Sequence, residues 1–85
     1  MGVAFDPAKN AANILKHGVS LADFAGFDAA PVEIVDDRFD YGEKRFRAFG
    51  RIEGLAYCLV YTPTGDDMRL ISFRRAHAKE MRRYE

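Results

Sequence analysis

The sequence predicts an α+β fold: a mostly antiparallel sheet of four to five strands, with two short helices before it and one after. Three observations carry this. Helix signals occur only towards the two ends of the chain. Strand signals recur in VEIV, RFRAFGRI, LAYCLVYT and MRLISFR. Turn residues separate the last three strands, which marks a meander. The expected order is β-α-α-β-β-β-β-α, with helices packed on a sheet.

The opening GVAF reads as a short strand. Asp6 is a good N-cap and Pro7 is tolerated at the first helical position, so a helix starts there. Ala8, Ala11, Ala12 and Leu15 recur at helical spacing and are expected to form its buried stripe. Gly18 ends it, and Lys16 and His17 sit in the last turn, where the helix dipole favours a cation. Ser20 and Asp23 resemble a capping box for a second short helix that buries Leu21, Phe24 and Ala25. Pro31 lies beyond its end. DDRFDYGE is a polar, acidic loop. Glu53-Gly54 forms a tight turn and PTGDD a longer one. LAYCLVY is apolar on both faces, which predicts a central strand covered on both sides. AHAKEMRRYE closes the chain as a helix.

The 85 residues make one domain, spanning 1–85, with a thin core. No signal-peptide pattern opens the sequence and no apolar run approaches the roughly 20 residues of a membrane span, so a cytosolic protein without membrane contact is expected. Cys58 is the only cysteine and lies in an apolar run, which reads as core. There is no phosphate-binding Gly-rich loop, no HExxH and no G-x-S-x-G elbow. Two His and one Cys leave no evident metal-ligand spacing, so no metal and no cofactor is expected.

The charges balance overall but not along the chain. Residues 1–43 hold eight acids and three bases; residues 44–85 hold ten bases, eight of them Arg, and five acids. Arg offers a planar fork of donors that matches phosphate. This asymmetry suits either a polyanion-facing side or a solvated surface whose halves pair with each other. Arg45, Arg47 and Arg51 share one face of a strand by alternation. Arg74 and Arg75 close the last strand, and Arg82 and Arg83 continue the basic run beside Tyr84. Phe46, Phe49 and Phe73 lie near these residues. Arg with aromatic rings on a sheet suits RNA, although each ring taken alone is better read as core. His17 could act as an acid–base group or could stabilise a helix end. Glu43 and Arg45, two apart, could pair.

The segments FDPAKNAANILKHGVSLADF, GEKRF, AFGRIEG and RLISFRRAHAKEMRRYE together resemble the BrnT toxins, in order and spacing, from about Phe5 to Glu85. The resemblance implies a RelE-like fold, ribonuclease activity without a metal, and a BrnA-type antitoxin partner. It also implies promoter DNA contact only through the antitoxin complex, and either a homodimer or a heterotetramer of two copies each with the antitoxin. It implies attack of a ribose 2′-OH on the adjacent phosphate. Under this reading Arg45, Arg74 and Arg75 hold the phosphate and His17 or Glu43 moves the proton. Arg47, Arg51, Arg82, Arg83 and Tyr84 contact RNA. The rival expectation is a catalytically silent module that only pairs with an antitoxin-like repressor. The sequence departs from the family at Phe5 and Phe46, where Trp is common, at Phe73, where a small residue is usual, and at His77. There the usual Ser/Thr would complete an S/T-x-x-E box with Glu80, and His77 is a poorer cap.

Overall fold

The computed structural model describes residues 3–38, 40 and 42–84. Eight elements follow in order. They are β1 (Val3–Phe5), helix α1 (Pro7–His17), a 3-10 turn (Leu21–Asp23), β2 (Val32–Val35), β3 (Phe46–Ile52), β4 (Leu55–Thr64), β5 (Asp67–Arg75) and helix α2 (Ala78–Tyr84). The strands form one sheet in the order β1-β5-β4-β3-β2. All neighbours are antiparallel except β1 and β5, which run parallel. LAYCLVY is the middle strand, as its two-sided apolar character predicts.

The expected second helix is corrected. Ser20 and Asp23 do form a capping box, but it closes a single 3-10 turn of three residues. Phe24 already has extended backbone, because its ring turns in to meet Phe27 and Phe73 edge-on at 5.2 and 5.4 Å. The PTGDD turn is also tighter than expected. Thr64 pairs with Asp67, leaving a two-residue connection at Gly65-Asp66. Glu53 (φ 52) and Gly54 (φ 79) make the other tight turn, with both residues left-handed as in a type I′ hairpin turn.

The sheet is covered on both faces. One face holds Ala48, Leu59, Leu70 and Phe73 under Leu21, Phe24 and Phe27. Gly50 belongs to this packing, since a Cβ there would lie 2.6 Å from the Phe27 ring. The opposite face holds Phe49, Ala56 and Cys58 under Met81 of α2. Tyr84 stacks on Phe49 with ring centroids 4.6 Å apart. Phe73 is therefore core, and Phe46 stacks on Tyr61 at 5.6 Å.

Helix α1 is inverted relative to the expectation. Ala8, Ala11, Ala12 and Leu15 face solvent, with Leu15 91% exposed. The inward face is polar and is held by hydrogen bonds. Asn13 is buried; its Nδ2 donates to the Val19 and Phe73 carbonyls (2.9 Å each) and its Oδ1 accepts from the Phe73 N–H (3.1 Å). Strand β1 ends its pairing at Leu70, so the Asn13 amide acts as the next partner along the β5 edge. Asn10 Oδ1 accepts from the Leu21 N–H (2.7 Å), fixing the 3-10 turn. Periodicity alone missed this because it counts apolar side chains and gives no weight to an amide that completes a strand.

Candidate functional site

A cavity of 230 Å³ opens on the α2 side of the sheet, beside α1. Its floor is Cys58 and Val60 of β4. Arg45 and Arg47 flank it from the β3 side, Ser72 and Arg74 from β5, and Lys16 and His17 reach it from the last turn of α1; Asp36 and Arg38 follow β2. Strand alternation puts Arg45 and Arg47 on the face of Phe49. A bulge does the same for β5. Val60 pairs with Ser72 and Tyr61 with Leu70, so Ile71 is an extra residue. The bulge lets Leu70 and Phe73 both enter the core while Ser72 and Arg74 face the cavity.

The cavity is strongly cationic. Lys16, Arg38, Arg45, Arg47 and Arg74 line it with one carboxylate, Asp36. Asp36 is buried and accepts two hydrogen bonds from Arg38, at 2.7 and 2.8 Å; these hold its carboxyl below the usual range. Arg74 donates through both terminal nitrogens to Glu80 of α2, at 2.9 Å each. That fork fixes the Arg74 rotamer at the cavity wall and pulls the Glu80 carboxyl down to about 2. Arg47 lies over the Phe49 ring, 5.8 Å from its centroid. Its Nε is buried without a hydrogen-bond acceptor, 4.0 Å from Asp36 Oδ1. A buried donor of this kind leans on the nearby Asp36 carboxylate for its electrostatic partner. Burial, then Lys16 and Arg74, lowers the His17 pKa below its ordinary value of 6.5, so the imidazole is neutral at pH 7 and able to take a proton. Burial pushes the Cys58 thiol up, which makes it a floor residue and not a nucleophile.

His17, Arg45, Arg47 and Arg74 are thus brought together, and the other expected site residues are not. Glu43 lies at the edge and is already engaged by Arg69 (2.5 Å), Thr62 (3.0 Å) and Arg45 (3.2 Å). Arg69 first and then Thr62 lower its pKa, so it is a poor base. Arg75 follows Arg74 on the strand and therefore points to the other face, where it sits 5.6 Å from the Tyr57 centroid and donates to the Ala56 carbonyl. Arg51 caps the Gly54 carbonyl at the far end of the sheet. Arg82 and Arg83 line a separate groove of 600 Å³ with Lys79 and His77, which meets the cavity only through Arg47. Tyr84 is occupied by Phe49. Lys16, Arg38 and Ser72 were not anticipated; of these only Lys16, next to His17 in one helical turn, carried a signal in the sequence.

His77 is the N-cap of α2 and supplies no side-chain cap, but half of the box survives, since Glu80 accepts from the His77 N–H at 2.9 Å. The Glu80 pKa is 4.5 unfolded and about 2 folded, so the unfolded chain binds more protons between these values. The contribution of Glu80 is full above pH 4.5 and lost as pH falls towards 2. Thermal melts across this range are expected to show a steeper loss for wild type than for Glu80→Gln. Parallel curves would show that the Arg74 pair contributes nothing.

The cavity and fold stand beside one finding from comparison. The family model for the ribonuclease toxin BrnT of type II toxin-antitoxin systems matches residues 5–80. The chain belongs to this family. A comparison with curated proteins found no match. Among the described residues no helix is long and apolar enough to cross a membrane, and no three His, Cys, Asp or Glu residues group as metal ligands.

Proposed function

We propose that the chain is a metal-independent endoribonuclease toxin of cytosolic RNA, neutralised by a BrnA-type antitoxin. The observation that carries this is the convergence of a neutral-leaning His17 with Lys16, Arg45, Arg47 and Arg74 in one cavity. A scissile phosphate seated there meets the cations of Lys16, Arg45, Arg47 and Arg74 that line the cavity. His17 takes the proton of the 2′-OH, and the 2′-oxygen attacks the adjacent phosphorus. The Arg side chains, held in place before substrate arrives, stabilise the charge of the pentacoordinate transition state. The bond to the 5′-oxygen breaks and that oxygen is protonated, leaving a 2′,3′-cyclic phosphate and a 5′-hydroxyl. The test is cleavage of a single-stranded RNA with and without EDTA, reading the end groups. Equal rates and a cyclic phosphate are expected; abolition by EDTA with rescue by a divalent ion would sink the metal-independent reading.

One observation favours the silent-module reading. The forks of Arg38 and Arg74 are already filled by Asp36 and Glu80. It predicts a protein that binds antitoxin, and promoter DNA through it, yet leaves RNA intact. The complex is expected to hold two copies of each protein, with light scattering after size exclusion as the check; separate peaks at micromolar concentration would count against pairing.

A further inference from the structure

We propose that the outward apolar stripe of α1 is the seat of the antitoxin, and that it takes an amphipathic segment whose acidic flank enters the adjoining cavity. The proposal rests on the type II pairing in the reading above. The stripe is Ala8, Ala11, Ala12 and Leu15, and it points directly away from the buried Asn13. Nothing in the fold uses it: Leu15 is 91% exposed, and Ile14 beside it is 45% exposed. A helix normally buries such a row of side chains, so an exposed one marks a contact surface.

Two features select the occupant. First, the stripe is continuous with basic ground. Ala12 lines a small cleft with Lys9 and Lys16, and Lys16 and His17 also wall the cationic cavity. A segment lying on Leu15 therefore has cations along one flank, which acidic residues would match. Second, the cavity that Lys16 and His17 join to the stripe is lined by Lys16, Arg38, Arg45, Arg47 and Arg74 against the single carboxylate of Asp36, so a carboxylate reaching in from α1 meets an excess of positive charge. Antitoxin and RNA phosphate then compete for the same cations, and neutralisation needs no change of fold.

The experiment uses the full chain and its co-encoded antitoxin. Leu15→Glu puts a like charge where the acidic flank would lie and is expected to weaken antitoxin binding by roughly 30-fold or more. Its melting temperature and RNA cleavage are expected to match wild type, because Leu15 touches neither the core nor the cavity. Leu55→Glu, an exposed apolar residue on the far hairpin (44% exposed), is the control and should bind normally. A short single-stranded RNA with a non-cleavable linkage should displace antitoxin from wild type. Wild-type affinity in Leu15→Glu overturns the proposal. So does a change in the oligomeric state of the toxin alone with antitoxin binding intact, which would assign the stripe to a second copy. If wild type binds antitoxin but cleaves no RNA, the enzymatic reading fails while the binding data still decide the docking surface.

Discussion

Replacing His17 by Ala is expected to slow RNA cleavage by about 10²–10⁴-fold, the usual contribution of a positioned acid–base group. His17 ends α1 and makes no hydrogen bond on which the core depends, so melting temperature and antitoxin binding should stay near wild type. The pH profile sharpens the test. A base must be unprotonated, so the acid limb of kcat/KM should fall below pH 6.5, because burial, Lys16 and Arg74 all lower this imidazole. Removing one neighbouring cation with Lys16→Ala should move that limb to higher pH. Arg45→Ala should cost about 10²–10³-fold as a lost charge stabiliser, with Lys rescuing only in part. Arg74→Ala is expected to do the same and also to lower the melting temperature, since Glu80 then loses its partner. Glu43→Gln should lose less than His17→Ala. A His17→Ala enzyme that cleaves at the wild-type rate with an unchanged pH profile removes His17 from the chemistry.

The largest expected effect on stability is at Asn13. Asn13→Ala removes the donor and acceptor that complete the β5 edge and leaves the Phe73 N–H and carbonyl unpaired beside the core. Each buried group left unsatisfied costs about 1–3 kcal/mol, so a loss of about 3 kcal/mol is expected in urea unfolding. For a domain of this size that lowers the melting temperature by roughly 12–24 °C. Asn13→Asp should fare no better, because it keeps the acceptor but sets a carboxylate against the Phe73 carbonyl. A loss below about 1 kcal/mol would mean that water replaces the amide.

Strands, hairpins and the central position of β4 were legible because alternation and turn residues are local signals. So was the convergence of Arg45 and Arg47, which follows from the pleat. The same rule separates Arg74 from Arg75, although the basic run suggested that they act together. The face of α1 was misread because its packing is made by Asn10 and Asn13, whose value depends on strand edges distant in sequence. The second helix failed for a related reason, since Phe24 has more to gain from two ring contacts than from another helical turn. The bulge at Ile71, and the approach of Arg38 and Ser72 to His17, depend on pairing between distant segments and leave no periodic trace.

Strand β1 pairs in parallel with β5, so the two ends of the chain meet in the finished sheet. The cavity is drawn from both, with Lys16 and His17 near the start and Ser72 and Arg74 near the finish. During synthesis the first strand has no partner until the last one leaves the ribosome, and the basic cavity has no second wall. Under the proposed activity, the site cannot act on RNA before β5 has emerged and closed that wall. A frameshift or stop codon anywhere before Arg74 yields a protein that lacks that wall.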